Sequence, residues 1–235
     1  PLSLDPVTGS LSGTPTADGL SCFLVVAATS QGDTTTATIL LQTVTPLAAL
    51  CDTGSLSGTC VVSRSKVIRP GQTLTVGAIG AGGALVVQAP ATLATAGEGA
   101  LTIGSEGDVV IEPGAAVAAG PLAITAAGTV TIDGSLRSRG TDGVEPSPDG
   151  ASGANVSVTA DIFAGAATGV IDAAGGDGFA GAALGSRGDG GNGGHVVVSY
   201  KSSDTFAGSI SVAGGAATAP ATPGTAGSVS RTVAP

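Results

Sequence analysis

The chain has 235 residues and a formal net charge of −9, and its 40 glycines and 40 alanines fill 80 positions. Aromatics are 2% of residues, with no tryptophan or methionine, which excludes a thick core built on large anchors and leaves burial to thin layers. Eight Lys/Arg on so acidic a chain argue against capture of phosphate backbones, no run approaches the roughly 20 apolar residues of a membrane-spanning helix, and the glycines follow no strict three-residue period, which argues against collagen. Pro1 is not a translation start and no basic-then-apolar leader follows it. The chain therefore reads as processed or as part of something longer, with its secretion signal outside.

From the amino end, the string Leu4-Asp5-Pro6-Val7-Thr8-Gly9-Ser10-Leu11-Ser12-Gly13-Thr14-Pro15-Thr16 leads into alternation at Cys22, Leu24, Val26 and Ala28 and a second strand closing at Val44. These first 45 residues resemble part of the cadherin-like, immunoglobulin-type repeats of large bacterial surface proteins. Two departures stand out: Cys22 replaces the usual aromatic or polar residue, and the strands that precede this string in such repeats are missing. The resemblance implies a partial β-sandwich completed by upstream sequence, by the rest of the chain or by another subunit. Its assembly edge is expected at Pro1, Leu2, Ser3 and Leu4.

Residues 46–66 read as a connector bracketed by Cys51 and Cys60. They enclose Asp52-Thr-Gly-Ser-Leu-Ser-Gly-Thr59, a turn-forming loop that a disulfide could close, with two reduced cysteines as the alternative. No Cys-x-x-Cys or paired histidine supports zinc. Cys22 is left over, as a small buried residue or as half of an unassigned bridge.

From residue 67 to 235, short strands alternate with Gly/Pro breaks too frequent for long helices. Leu101/Ile103, Leu122/Ile124, Val156/Val158 and Val196/Val198 align with starts 21, 34 and 40 residues apart. Each pair is followed by a glycine, and Gly134-Ser-Leu-Arg, Gly169-Val-Ile-Asp and Gly208-Ser-Ile-Ser extend the match. Fixed spacing inside a unit, with variable Gly/Ala/Pro/Asp insertions between units, predicts a right-handed parallel β-helix with loops on one side. An antiparallel sandwich is the alternative, disfavoured because Asp-Gly and Asn-Gly hairpins between matched strands are sparse. The same region resembles the glycine-rich β-helical portions of bacterial adhesins, a likeness that carries no site.

Candidate sites are few. Asp172, Asp177, Asp189 and Asn192 offer hard oxygen ligands for calcium among flexible glycines, without the full nonapeptide calcium repeat. Arg187-Gly188-Asp189 matches an integrin-recognised tripeptide but also an ordinary solvated turn. His195 stands alone at a strand entry, and Glu106, Asp108 and Glu112 share one segment without cationic or aromatic substrate contacts, so catalysis is not expected. Gly82-Gly83 and 188–194 lack the Lys-Ser/Thr of a phosphate loop. Asn155-Val156-Ser157 is a formal glycosylation acceptor, and Thr34–Thr36 and Thr73-x-Thr75 hint at ice-facing ladders without recurring. The expected function is a non-catalytic, extracellular or cell-surface structural protein, a subunit or segment of a fibre, sheath or adhesin stalk assembling as a homo-oligomer through strand edges. The alternatives are a ligand-binding adhesin that meets a surface glycan or protein receptor, and a carbohydrate-active β-helix. No nucleic-acid partner, membrane span or cofactor other than calcium is expected.

Overall fold

A computed structural model describes residues 2–8, 10–13, 19–28, 34–78, 80, 82–97, 99–181 and 187–235; the side chains of residues 2, 4, 11, 19–28, 35 and 37–42 lie outside that description. The fold is all-β, and the one helical element among the described residues is a single 3-10 turn at Leu47–Ala49. No helix there is long and apolar enough to cross a membrane.

The amino end forms two antiparallel pairs. Leu2–Leu4 pairs with Leu11–Gly13, and the turn between them is held by Asp5, whose Oδ1 accepts the N–H groups of Val7 (2.8 Å) and Thr8 (3.2 Å). Gly19–Ala28 pairs with Thr34–Thr43 over ten residue pairs, from Gly19↔Thr43 to Ala28↔Thr34. Both are two-stranded sheets. Pro1 and the side chain of Cys22 fall outside the described residues.

Beyond residue 59 the chain visits three strand stacks in a constant order, and within each stack neighbours pair in parallel. One stack holds Gln72–Val76, Leu101–Ser105, Leu122–Ala126, residues 156–160, residues 195–200 and Ser228–Val233. A second holds Cys60–Val62, Ala84–Val87, Asp108–Ile111, Thr129–Ile132, residues 162–165 and residues 203–206. The third holds Lys66–Ile68, Thr92–Thr95, Ala116–Ala118, Ser135–Arg137, Val170–Asp172 and Ser209–Ser211. The first two fuse into one sheet because Val156–Gly165 and His195–Phe206 each run through both. Cys60–Val62 already belongs to this sheet, so the parallel region starts inside the stretch read as a connector.

The registers explain the alternation. Leu101↔Leu122↔Val156↔Val196 and Ile103↔Ile124↔Val158↔Val198 are vertical columns, as is Leu136↔Ile171↔Ile210. Because a strand's period is two, every other side chain points inward, and the columns meet in one continuous core. Phe163 and Phe206 pack together in it, with ring centroids 5.0 Å apart. At the carboxy end Arg231 turns inward across both rings, 5.7 and 5.8 Å from their centroids, and pairs with Asp204. The amino end of the core is closed by fully buried Leu50, with Leu47, Cys51 and Leu56 packed beside it.

Candidate functional site

The three long glycine-rich insertions, residues 138–155, 173–194 and 212–227, all lie between the third stack and the first. Each has an outgoing and a returning arm, and arms in successive layers are joined at every third residue. Gly140 and Gly143 donate to the carbonyls of Ala174 and Asp177, and Gly175 and Gly178 to those of Ala213 and Ala216. On the returning side Gly150 and Gly153 donate to Asp189 and Asn192, and Gly190 and Gly193 to Thr222 and Thr225. The two rows are bonded to each other through Gly176→Ala151, Gly191→Gly176 and Gly215→Gly191. A three-residue donor spacing is that of packed polyproline II segments, which make no internal hydrogen bonds and must find them outside.

Glycine is required here for close approach. None of these glycines has a positive φ, yet a Cβ on Gly150, Gly176, Gly191, Gly215 or Gly224 would stand 1.8–2.1 Å from a neighbouring carbonyl oxygen. The insertions are therefore a close-packed extension of the layers rather than loose loops.

Five Asx-Gly dipeptides tie one layer to the next in the same manner. In each, the Asx side chain accepts the N–H of one residue in the next layer, and the glycine N–H donates to that residue's carbonyl. Asp142-Gly143 holds Asp177, Asp177-Gly178 holds Ala216, Asp149-Gly150 holds Asp189, Asp189-Gly190 holds Thr222 and Asn192-Gly193 holds Thr225. The side-chain bonds run from 2.6 to 2.9 Å. The Thr222 N–H, then its hydroxyl, hold the Asp189 carboxyl below its ordinary range.

Three of the four calcium candidates are clamp residues. Asp177, Asp189 and Asn192 each spend an oxygen on a backbone donor, and Asp172 Oδ1 accepts the Ala174 N–H at 3.1 Å. Among the described residues no three His, Cys, Asp or Glu side chains gather as a metal-binding group. The tripeptide is likewise engaged: Arg187 donates to the carbonyls of Gly181 and Ala219 while Asp189 serves as a clamp. His195 is exposed, with Nδ1 2.8 Å from Ser228 Oγ and its N–H on Asn155 Oδ1 at 3.0 Å. That contact takes the side-chain oxygen of Asn155, the first residue of the glycosylation motif. Asp108 accepts the Thr129 N–H and Glu112 the Gln88 amide, so these acids brace neighbouring layers.

Cys51 and Cys60 are joined by a disulfide. Beside it lies Asp52, its side chain 4% exposed, which meets Lys66 Nζ at 3.1 Å and Arg64 Nε at 3.2 Å and accepts the N–H groups of Ser63 and Arg64. Burial pushes the Asp52 carboxyl up, but the Ser63 N–H, the Lys66 ammonium and the Arg64 N–H outweigh it and bring the pKa down to about 2.

Two adjoining depressions open over the third stack, of about 450 and 470 Å³. Both are lined by Ala118 and Arg137. A further depression at the amino end, beside Pro46, Arg69 and Gln72, is about 430 Å³.

Compared with protein-family models, with curated proteins and with solved structures, the chain matches none.

Proposed function

We propose that this chain is a non-catalytic, extracellular structural protein: a right-handed parallel β-helix following a partial immunoglobulin-like segment, acting as a stiff segment of a surface fibre, sheath or adhesin stalk. The observation that carries the reading is the use of polar side chains. Asp142, Asp149, Asp177, Asp189 and Asn192 bind backbone groups of the next layer instead of converging on a cavity. A catalytic site needs carboxylates free to exchange protons at one point, whereas a stalk needs every layer fixed to the next. Three parallel stacks visited in constant order support the β-helix, and its hand follows from the strong right-handed preference of parallel connections. The Cys51–Cys60 disulfide supports an oxidising compartment.

Assembly is assigned to the amino end. The carboxy-terminal strand Ser228–Val233 is bonded on one side to residues 195–200, but an inward charge at Arg231 and prolines at 220 and 223 in the preceding insertion blunt that edge against a further strand. Leu2–Leu4 and its partner Leu11–Gly13 form only a two-stranded sheet, so strand complementation at the segment from Pro1 to Leu4 is the preferred route. Electron microscopy and sedimentation of the full chain test this. Filaments or oligomers that dissolve in Ser3→Pro support it; a strict monomer that turns over any member of a polysaccharide panel rejects it in favour of an enzyme.

A further inference from the structure

We propose that the underside of the first glycine-rich insertion, residues 138–155, is a docking site for an extended glycine-rich segment of a partner polypeptide, which lies there in polyproline II conformation as one more layer. The bonds that join the arms fix where such a segment sits. Ala151 donates to Thr141, Gly176 to Ala151, Gly191 to Gly176 and Gly215 to Gly191, so at this position each later outgoing arm donates to the returning arm of the layer before it. Thr141 is the equivalent of Gly176 and Gly215, and its N–H reaches no described residue. Ser152 is the equivalent of Asn192, whose carbonyl accepts the Gly153 N–H, and of Thr225, which is held at both N–H and carbonyl. Neither backbone group of Ser152 bonds to a described residue, and the same is true of Asp142 and Asp149.

No described arm lies beneath, because the two earlier layers pass from the third stack to the first through the short corners 96–100 and 119–121. Gly97, Gly120 and Pro121 of those corners line the hollow of about 450 Å³ together with Thr141, Asp142 and Ser152. The opposite face of the insertions is finished differently. Where clamps stand in the earlier layers, the last has Thr222-Pro223 and Thr225-Ala226, so the Asx acceptor is gone and Pro223 has no N–H to give. Continuity with the layers above sets the ligand's chemistry. A glycine N–H must reach the Ser152 carbonyl, an Asx oxygen must take the Ser152 N–H, and a carbonyl must take the Thr141 N–H. Residues 189–194, Asp-Gly-Gly-Asn-Gly-Gly, present this pattern to the layer above them. Glycine also permits the approach: a Cβ on Gly190 or Gly193 would stand 2.1 or 2.0 Å from a carbonyl oxygen of that layer. Affinity then comes from main-chain hydrogen bonds to a segment that is extended before it docks. It does not draw on the mixed charges of Arg137, Arg139 and Asp142 around the hollow.

The site is independent of assembly through the amino end. Amide-shift titration of the full chain decides it, with a capped peptide carrying Asp-Gly-Gly-Asn-Gly-Gly in tandem as the probe. Two control peptides have alanine for every glycine, or N-methylglycine after each Asx to remove the donors. The expected result is binding of the glycine peptide alone, with the largest shifts at Thr141, Asp142 and Ser152. Thr141→Pro deletes one N–H within a backbone conformation that proline itself adopts. It should weaken the peptide about fivefold, the share of one backbone hydrogen bond, with the circular dichroism spectrum unchanged; Ser152→Pro replaces it if the spectrum is lost. No binding of the glycine peptide, equal binding of either control peptide, shifts centred elsewhere, or an unaffected Thr141→Pro or Ser152→Pro overturns the assignment. None of these results bears on the filament measurement.

Discussion

Gly191→Ala is the sharpest perturbation of the packed insertions. The new methyl carbon would lie 1.9 Å from the Ala151 carbonyl oxygen and 2.3 Å from its carbon, where real Cβ atoms essentially never come closer than 3.0 Å. One arm must retreat by more than an ångström. Such a shift strains the Gly191→Gly176 and Gly215→Gly191 hydrogen bonds, both 2.8 Å. Overpacking of this kind costs about 1–3 kcal/mol, and two weakened backbone bonds add about 0.5–1.5 kcal/mol each. A loss of about 3 kcal/mol is expected in urea denaturation, with a melting temperature lower by roughly 10 °C for a chain of this size. Gly104→Ala is the control: Gly104 sits in Leu101–Ser105 at ordinary φ, and a Cβ there meets nothing within 4 Å. It should be neutral or stabilising by about 0.4–1 kcal/mol, through the lowered entropy of the unfolded chain. If Gly191→Ala were as stable as the wild type, or Gly104→Ala lost as much, close packing of the insertions would be the wrong account.

The amino-terminal closure gives two further expectations. Replacing Cys51 and Cys60 together by alanine frees a loop closed over a separation of nine residues, a loss of about 2.6 kcal/mol by loop entropy, and denaturation with and without reductant should show the same difference only in the wild type. Asp52 has a folded pKa of about 2 against an ordinary 3.8, so its stabilisation is complete above about pH 4 and is lost as pH falls through 2. The full shift would correspond to about 2.4 kcal/mol; with Arg64 79% exposed and screened, about 1–2 kcal/mol is expected, and Asp52→Asn should flatten stability across that window. Asn192→Ala removes the acceptor for the Thr225 N–H and hydroxyl, each 2.9 Å away. It should lower the melting temperature by about 2–4 °C, from roughly 1 kcal/mol of lost hydrogen bonding.

The strand columns could be read in the sequence because parallel pairing in register sets like upon like. Self-similarity along the chain then becomes adjacency in space, and the alignment of Leu101, Leu122, Val156 and Val196 is the register of the first stack. The insertions were harder to read. Their three-residue spacing, as at Gly188, Gly191 and Gly194, is short and ends where the chain enters the strand His195–Phe206, so no glycine period runs the length of the chain. Asp-Gly and Asn-Gly are common hairpin turns, and such hairpins between matched strands were read as sparse; at Asp142, Asp149, Asp177, Asp189 and Asn192 these dipeptides bind the neighbouring layer. A dipeptide cannot reveal that difference, because it depends on a partner 33 to 40 residues away.

The Asx-Gly clamps also bear on how the chain ages. Such dipeptides are the weakest links of an exposed polypeptide, because the flexible glycine nitrogen attacks the adjacent side-chain carbonyl and closes a succinimide that reopens as isoaspartate. In this fold that nitrogen donates to the carbonyl of a residue in the next layer, and the side-chain oxygen is held by the same residue's N–H. Attack requires both bonds to open together. Chemical lifetime is thereby tied to folding: damage waits on local opening of a layer, and once made it prevents that layer from closing again.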